Sequence, residues 1–360
     1  MNWLLVFIPV AVALEHFAPH AHLWIFIAAG LAILPLAAWM GHSTEHLATR
    51  VGEGAGGLLN ATFGNAAELI IALVSLRAGL YDVVEASIIG SIVGNVLLVL
   101  GAAMLAGGLR HSEQHFNAEG ARAQATMLTL AAIALIVPAA YQGALGNQAQ
   151  VGLGRLSVSI AVILLGVYGL YLVYSLITHA SLFKGSHAEG EAEEHGETWS
   201  TGRAMGILAG ATVFIAWMSE ILVGSIRPAA ESLGLSGAFV GIFVVAILGN
   251  AAEHATAITV SLKNRMDLSL SIAIGSSVQV ALFVAPFLVL TSLFLGPAPM
   301  DLAFPAGLVL TVLLSVLITG QVAGDGRSDW LKGVQLLAVY LVLGLAFFFL
   351  PIAPPVATVP

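Results

Sequence analysis

The chain has 360 residues, of which 59% are hydrophobic and only 9% are charged. This composition is typical of a protein that crosses a membrane many times, and it excludes an ordinary soluble domain. Cysteine is absent, so disulfides, thiolate metal sites and thiol catalysis are excluded. The net charge of −8, without a basic patch, argues against a nucleic-acid partner.

Apolar runs separated by polar residues predict an all-α polytopic membrane protein with eleven transmembrane helices. The first run lacks the basic residues and the cleavage site of a signal peptide, so we expect it to be retained. Pro35, Pro286 and Pro305 fall inside three of the runs, where a helix bundle tolerates them as kinks. The eleven runs lie near residues 3–17, 22–40, 57–77, 82–107, 121–141, 154–180, 203–226, 236–262, 267–296, 301–321 and 329–351.

Lysine and arginine are distributed unequally between the two sides of these predicted spans. Only three of the twelve, Arg77, Arg155 and Arg227, fall on the side opposite the N-terminus. By the positive-inside rule, the N-terminus is cytoplasmic and the C-terminus lies outside the cell. The sequence therefore predicts a multi-pass protein of the plasma membrane that is surrounded by lipids. Homo-oligomerisation is left open.

One strongly polar, glutamate-rich connection divides the chain into two halves. We interpret it as a solvated cytoplasmic linker, with metal sensing as the alternative. The predicted organisation is an extra first helix (1–20), a five-helix repeat (21–180), the acidic linker (181–201) and a second five-helix repeat (202–360).

A short motif, Gly-Asn-Ala-Ala-Glu, occurs at Gly64–Glu68 and again at Gly249–Glu253. A shift of 185 positions, without gaps, also superposes Asp82 on Asp267, and ten of the twenty-eight residues from 64 to 91 are then identical. Five spans, an odd number, separate the copies, so the second copy crosses the membrane in the opposite direction. This is the inverted-repeat plan of secondary transporters, which place their ion site between the repeats.

The repeated motif carries the groups that a calcium site needs. A carboxylate inside a membrane run costs at least about 2.5 kcal/mol on insertion scales, so Glu68 and Glu253 are rarely there for packing. Each glutamate shares a helix face with the asparagine three residues before it. Together with the glycine carbonyls these are hard oxygen ligands, which suit calcium. The motif positions are Gly64, Asn65, Glu68, Gly249, Asn250 and Glu253.

The two glutamates also predict exchange. Their joint charge of −2 matches a divalent cation, and without that cation close like charges resist simultaneous ionisation, so protons can take its place. The alternative is that each glutamate is a protonated hydrogen-bond donor and each asparagine a packing amide.

The span after each copy adds further polar groups on one helix face. Ser91 and Asn95 are four residues apart, and Ser276 and Gln279 are three apart. Asn95 falls on Val280, so the site is only pseudo-symmetric. For the serines, helix packing by small residues is an equal alternative to cation binding.

Four more acids lie within or beside the apolar runs. Glu45 and Glu220 each follow a Trp-Met pair and are candidates for a vestibule or a proton relay, with an interfacial position as the alternative. Asp82 and Asp267 stand where spans begin, so we predict that they are helix N-caps.

Two histidine-containing patterns are weaker signals. The stretch His42–His46 spells H-x-x-E-H, an inverted zinc-protease motif, but no third ligand is evident, so we interpret it as a coincidence in a loop. His254 follows Glu253 directly, and a helix neighbour points about 100° away. We do not predict that His254 is a ligand.

At these motifs the chain resembles the cation/proton exchanger (CAX) family of the calcium/cation antiporter superfamily, over most of its length. The segments Leu58–Ile70 and Val245–His254 look like the two family signatures, and Ser219–Val223 also fits the family pattern. Sodium-coupled relatives typically carry a Ser/Thr-rich motif with proline before the glutamate, where this chain has alanine.

The resemblance implies calcium-for-proton exchange by eleven helices arranged as one plus five plus five. It implies that Glu68 and Glu253 bind the cation with backbone carbonyls at Gly64 and Gly249. The polar residues that surround the cation are then Asn65, Asn250, Ser91, Asn95, Ser276 and Gln279.

The sequence therefore predicts a secondary active antiporter, not an enzyme, that moves calcium and protons by alternating access and needs no cofactor. The alternatives are coupling to sodium, transport of another divalent cation such as manganese and, more remotely, an intramembrane zinc hydrolase built on His42, Glu45 and His46.

Overall fold

The computed structural model describes residues 2–51, 56, 59, 62–183 and 199–349 of the chain. Most of these residues are helical, because a helix satisfies its own backbone hydrogen bonds where water is absent. The helices are α1 Phe7–Phe17, α2 His22–Val51, α3 Ala66–Arg77, α4 Tyr81–His111, α5 Ala118–Leu145, α6 Gly152–Thr178, α7 Thr201–Ser232, α8 Gly237–Ala251 with Glu253–Leu262, α9 Met266–Thr291, α10 Ala306–Val322 and α11 Trp330–Phe348. Short 3₁₀ segments lie at Asn2–Val6, Gly146–Ala149 and Ala180–Leu182.

In the described part of the chain, seven helices are long and apolar enough to cross a membrane: α2, α4, α5, α6, α7, α9 and α11. The two arms of α8 add an eighth if they cross as one span, although they are bent by 67°. The segments containing α1 and α10 are shorter but apolar. The chain is therefore a mostly helical protein built from membrane-length apolar helices.

Two helices extend beyond the apolar runs that predicted them. The run expected to end near residue 40 continues as α2 to Val51, and the run expected to end near residue 226 continues as α7 to Ser232. A helix can continue past the hydrocarbon layer because water there solvates its polar side chains. The segment His42–His46 therefore lies in a helix, and the prediction that it is a loop was wrong.

The prolines have different positions. Pro35 lies inside α2, and Pro286 follows a π-helical segment within α9, both as predicted. Pro305 instead directly precedes α10 as its N-cap residue, so the predicted kink inside the tenth span was wrong. Proline lacks the amide hydrogen that a helix interior requires, whereas a helix start leaves that hydrogen unbonded.

The N-cap prediction for the two aspartates was also wrong. Asp82 and Asp267 are the second residues of α4 and α9, one position inside each helix. Asp82 Oδ1 accepts a hydrogen bond from Arg227 Nη2 (3.0 Å), and Asp267 Oδ1 accepts one from the amide of Asn117 (2.6 Å). Their partners come from distant segments, which local cap rules do not include.

Helix bounds follow the 185-residue shift seen in the sequence. α3 ends at Arg77 and α8 at Leu262, while α4 begins at Tyr81 and α9 at Met266. Each of these later helices also contains a π-helical segment, Gly94–Val99 in α4 and Val280–Val284 in α9. Such segments are rare and frequent at functional sites.

Two buried clusters hold the helices together. One joins α1, α2 and α7 to the first turns of α3, and the other surrounds α4 and α9 with α5, α6, α8, α10 and α11. α4 and α8 touch backbone to backbone, because a Cβ on Gly90 would collide with the carbonyl oxygen of Ile242. Helices from both halves of the sequence therefore meet at the centre of the molecule.

An antiparallel ribbon joins two of the connections. β1, Gln114–His115, pairs with β2, Arg327–Ser328.

The acidic residues 184–198 and part of the first signature lie outside the described residues, so predictions about them remain predictions.

Candidate functional site

One signature glutamate lies at the start of a helix and the other lies just after a bend in a helix. Glu68 is in the first turn of α3, directly after a turn at Gly64 and Asn65. Glu253 begins the second arm of α8, beyond the 67° bend. An interrupted helix leaves backbone groups without intrahelical partners, and secondary transporters use such interruptions to coordinate ions. This differs from the predicted continuous helix face, since Asn65 is the N-cap residue of α3.

Both glutamates have a buried oxygen without a hydrogen-bond partner. Among the described residues, Oε2 of Glu68, Oε2 of Glu253 and Oδ1 of Asn250 are buried and unpaired, and so is Nδ2 of Asn65. A buried polar atom without a partner costs about 1–3 kcal/mol, and more when it is charged. Three of the four unpaired atoms are oxygens, so a cation bound between them would satisfy most of this deficit.

The two copies of the motif exchange hydrogen bonds. Ser276 Oγ donates to Asn65 Oδ1 (2.7 Å), and Asn250 Nδ2 donates to Ser91 Oγ (3.1 Å). The two bonds are related by the 185-residue shift, because Asn65 corresponds to Asn250 and Ser91 to Ser276. Each half thus completes the polar shell of the other.

One contact joins two residues that are equivalent under the same shift. Ser277 Oγ donates to the carbonyl of Ile92 at 3.3 Å, and the two positions differ by 185. A contact between equivalent positions must lie close to the axis that relates the two halves. α4 and α9 therefore approach each other close to this axis.

A small cavity lies beside Glu68. It has a volume of about 20 Å³ and is lined by Glu68, Ser91, Gly249 and apolar side chains. A Cβ on Gly249 would stand 3.0 Å from Cγ of Glu68, so a side chain there would have to displace Glu68 by a few tenths of an ångström. The cavity is of the size of one water or one bare ion.

The electrostatics of the site depend on the carboxylate pair. Glu68 and Glu253 interact with each other electrostatically, and Ser276 lies within hydrogen-bond distance of Glu253. Within the described residues, no group of three or more acidic, histidine or cysteine side chains could hold a metal. Any cation here would depend on two carboxylates supplemented by neutral oxygens.

The predicted polar residues of α4 and α9 are buried at this site. Asn95 Nδ2 donates to Ser276 Oγ at 3.1 Å. Gln279 is also buried, one residue before the π-helical segment of α9. The contacts of Asn95 have no equivalent in the other half, where Val280 occupies the corresponding position.

The two remaining acids of the prediction lie apart from the glutamate pair. Glu45 is exposed on α2 and faces His42 Nδ1 at 3.4 Å. Glu220 is exposed on α7 and pairs with Arg77 Nη1 at 3.4 Å. Arg77, Glu220 and Arg227 line a larger cavity, of about 390 Å³, between α3 and α7.

The histidines of the H-x-x-E-H pattern make ordinary surface contacts. His42 pairs with Glu45, and the ring of His46 stacks on Trp199 with 4.9 Å between ring centroids. The guanidinium carbon of Arg203 also lies over the Trp199 ring, 4.9 Å from the ring centroid. These contacts do not favour a zinc hydrolase.

His254 makes a contact that was not predicted from the sequence. Its Nε2 lies 3.2 Å from Asn95 Oδ1, so the residue set aside as a helix neighbour belongs to the polar network. The repeat itself contains a pattern from which this contact could have been predicted. The shift of 185 pairs His254 with Leu69 and Asn95 with Val280, two polar residues that depart from the repeat together.

Comparison with known proteins agrees with this architecture. A family model described as sodium/calcium exchanger protein matches residues 21–177 and 203–349. The Ca(2+)/H(+) antiporter of Aphanothece halophytica is 46% identical over 364 residues, which covers 98% of this chain and 97% of the relative. That of Synechocystis sp. is 47% identical over 361 residues, covering 97% of this chain and 96% of the relative.

A solved structure gives the same result for the fold. Native YfkE has a TM-score of 0.79 and 37% sequence identity, covering 96% of this chain and all of its own. The family match and these identities extend over nearly the whole sequence. The chain belongs to the sodium/calcium exchanger protein family.

Proposed function

We propose that this chain exchanges calcium for protons across a membrane, with Glu68 and Glu253 as its shared binding site. The observation that carries the proposal is the pair of buried carboxylate oxygens without partners, brought together from the two copies of one motif. Relatives that match nearly all of the chain are named calcium/proton antiporters, which supports the same activity here.

The two glutamates supply the charge that binds the cation. Backbone carbonyls at Gly64 and Gly249 add neutral oxygen ligands, and the amide and hydroxyl side chains complete the ion pathway. Calcium accepts six to eight oxygen ligands in flexible geometry, which suits a mixed shell of this kind. The polar members of this pathway are Asn65, Asn250, Ser91, Asn95, Ser276 and Gln279.

Proton binding then releases calcium. An empty site with two ionised carboxylates in low dielectric is unfavourable, so either calcium or protons must occupy it. Protons neutralise the glutamates, calcium leaves on the outer side, and the two halves rearrange around a site without charge. Competition for one site is what couples the two fluxes.

We further propose eleven membrane spans, one extra helix followed by two inverted five-helix repeats. Residues 1–20, 21–180, 181–201 and 202–360 are then the extra helix, the first repeat, the acidic cytoplasmic linker and the second repeat. The matching bounds of α3 with α8 and of α4 with α9 support this assignment.

In this topology the N-terminus is cytoplasmic and the C-terminus lies outside the plasma membrane. Contacts between connections agree with it. Gln114 Nε2 donates to Asn264 Oδ1 at 3.0 Å, and both belong to connections assigned to the cytoplasmic side. Tyr81 OH donates to the carbonyl of Ala298 at 2.6 Å, and both belong to the outer side. Glu45 and Glu220 would then line the cytoplasmic and outer vestibules.

The test is transport by purified protein in liposomes. An imposed pH gradient, acidic inside, should drive calcium uptake, and Glu68→Gln or Glu253→Gln should each reduce uptake to background. The matched control is Glu231→Gln, at an exposed glutamate in the last turn of α7, which should transport as the unsubstituted chain does. Calcium uptake driven by the pH gradient that survives either site substitution would refute the proposal.

The alternatives are coupling to sodium and transport of another divalent cation such as manganese. The description of the matching family favours testing sodium. The same liposomes should respond to a sodium gradient, with pH equal on both sides, only if sodium replaces protons. Competition of manganese with labelled calcium measures the cation preference.

A further inference from the structure

A chain of three hydrogen bonds crosses the site from one half of the protein to the other. His254 Nε2 lies 3.2 Å from Asn95 Oδ1, Asn95 Nδ2 lies 3.1 Å from Ser276 Oγ, and Ser276 Oγ lies 2.7 Å from Asn65 Oδ1. The last three residues are buried, with at most 5% of each exposed. The hydrogen bonds among these three residues therefore lie in a region from which water is excluded.

These three hydrogen bonds are not repeated at the equivalent positions of the two halves. The 185-residue shift replaces His254 by Leu69 and Asn95 by Val280. The two polar residues come from different halves, α8 and α4, and contact each other. At the equivalent positions Val280 is buried in an apolar cluster and Leu69 packs against that cluster, so the fold accepts apolar residues at these repeat positions.

The hydrogen-bonding capacity of an amide fixes the orientation of Asn95. An asparagine side chain has an oxygen that only accepts and a nitrogen that only donates. Because the nitrogen of Asn95 donates to Ser276, its oxygen faces His254, and Nε2 of His254 must carry a hydrogen. The two hydrogen bonds of Asn95 thus hold its oxygen towards His254 and its nitrogen towards Ser276, so the direction of the oxygen depends on His254.

We propose that His254 is a positioning residue that keeps the side-chain oxygen of Asn95 away from the calcium site. Asn95 then serves as a donor to Ser276, which also lies next to the Glu253 carboxylate. The inference rests on the proposed function, because it describes which oxygens are withheld from the transported cation. Withholding one oxygen limits affinity and permits release.

Removal of the histidine should therefore tighten calcium binding. In His254→Leu, the oxygen of Asn95 loses its donor and becomes free to turn towards the cation. We expect the calcium KM to fall about three- to tenfold, a change in the lower part of the coupling range measured between residues in contact. The maximal rate should fall as well, because tighter binding slows release. His254→Gln keeps a donor near the position of Nε2 and should restore the KM.

A double-substitution cycle tests whether the histidine acts through Asn95. His254→Leu with Asn95→Val copies the Leu69 and Val280 pair of the other half. We expect its KM to equal that of Asn95→Val alone, since no amide remains to turn. Equal effects of His254→Leu on the KM with and without Asn95 would overturn the proposal, and so would a His254→Gln protein as altered as His254→Leu.

Two further comparisons keep the test decisive. If His254→Leu does not purify as a folded protein, His254→Asn replaces it, because its amide is too short to reach Asn95. The KM should then shift in His254→Asn and not in His254→Gln, and identical values in the two would overturn the proposal. Absence of pH-driven calcium uptake in the unsubstituted chain would instead contradict the proposed function.

Discussion

Within the part of the chain that the structure describes, Ser276 has more polar partners than its counterpart Ser91, although the two occupy equivalent positions. Ser276 accepts from Asn95, donates to Asn65 and lies beside Glu253, whereas Ser91 accepts from Asn250. One hydroxyl hydrogen can serve only one acceptor at a time, so Asn65 and Glu253 compete for it. The two halves of the site are therefore chemically unequal despite the repeated motif.

This inequality predicts unequal effects of serine removal. Ser276→Ala leaves buried groups on Asn65 and Asn95 without a partner, at about 1–3 kcal/mol for each. Ser91→Ala removes the hydrogen bond from Asn250, the one side-chain partner of Ser91 among the described residues. We expect Ser276→Ala to change the calcium KM several-fold more than Ser91→Ala in liposome transport. A larger effect at Ser91 would contradict this account of the asymmetry.

At the scale of helices, the approach of α4 to α8 depends on a glycine. A Cβ on Gly90 would collide with backbone atoms of Ile242, which cannot move aside as a side chain can. In the sequence, Gly90 is only one of the ten identities found under the 185-residue shift, where it matches Gly275. Its packing role requires knowledge of which helix lies opposite.

Gly90→Ala should therefore destabilise the protein. Overpacking of a well-filled interior typically costs about 1–3 kcal/mol, and a backbone obstacle leaves little room for relaxation. Gly94→Ala is the matched control, because a Cβ there would meet nothing within 4 Å. Thermal unfolding in detergent should give a lower Tm for Gly90→Ala than for Gly94→Ala, and equal Tm values would be evidence against the close contact.

Asp325, in the connection between α10 and α11, forms an ion pair with Lys332 in the first turn of α11. Lys332 Nζ donates to both carboxylate oxygens of Asp325 at 2.7 Å. The hydrogen bond from Lys332 lowers the pKa of Asp325 below its ordinary value of 3.8. Asp325 is more than half exposed, so water screens the pair and its contribution to stability is modest.

The direction of this pKa shift determines its pH dependence. A carboxyl group whose pKa is lower in the folded state stabilises the protein above pH 3.8, and that stabilisation is lost as the pH falls through the folded value. Asp325→Asn should therefore have a slightly lower Tm than the unsubstituted chain at pH 7. The difference should shrink as the pH falls below 3.8, and a difference independent of pH would exclude the ion pair as its cause.

For the whole molecule, the proposed topology assigns each connection to one side of the membrane. Because the chain lacks cysteine, a single introduced cysteine reports on one position. Ser232 and Lys263 are both exposed, at the ends of α7 and α8, and the topology assigns them to opposite sides.

Intact cells should therefore label the two cysteine variants differently. An impermeant maleimide should react with Ser232→Cys from outside, and with Lys263→Cys only after the membrane is opened. Each variant should first retain pH-driven calcium uptake, so that labelling reports on a functional protein. Labelling of Lys263→Cys in intact cells would contradict the proposed orientation.

The sequence by itself determined the class of this protein, its repeat and the two glutamates. Composition identifies a membrane protein because the bilayer selects apolar residues along the whole chain. The Gly-Asn-Ala-Ala-Glu copies at Gly64–Glu68 and Gly249–Glu253 are visible without any fold, because a duplication preserves order and spacing. A carboxylate in an apolar run is likewise a local anomaly.

Only the tertiary structure decided how these residues meet. The crossed bonds of Asn65 with Ser276 and of Asn250 with Ser91 join residues separated by 211 and 159 positions. The contact of His254 with Asn95 and the true partners of Asp82 and Asp267 have the same origin. Such contacts depend on which helix faces which, and periodicity along a single helix contains no information about its neighbours.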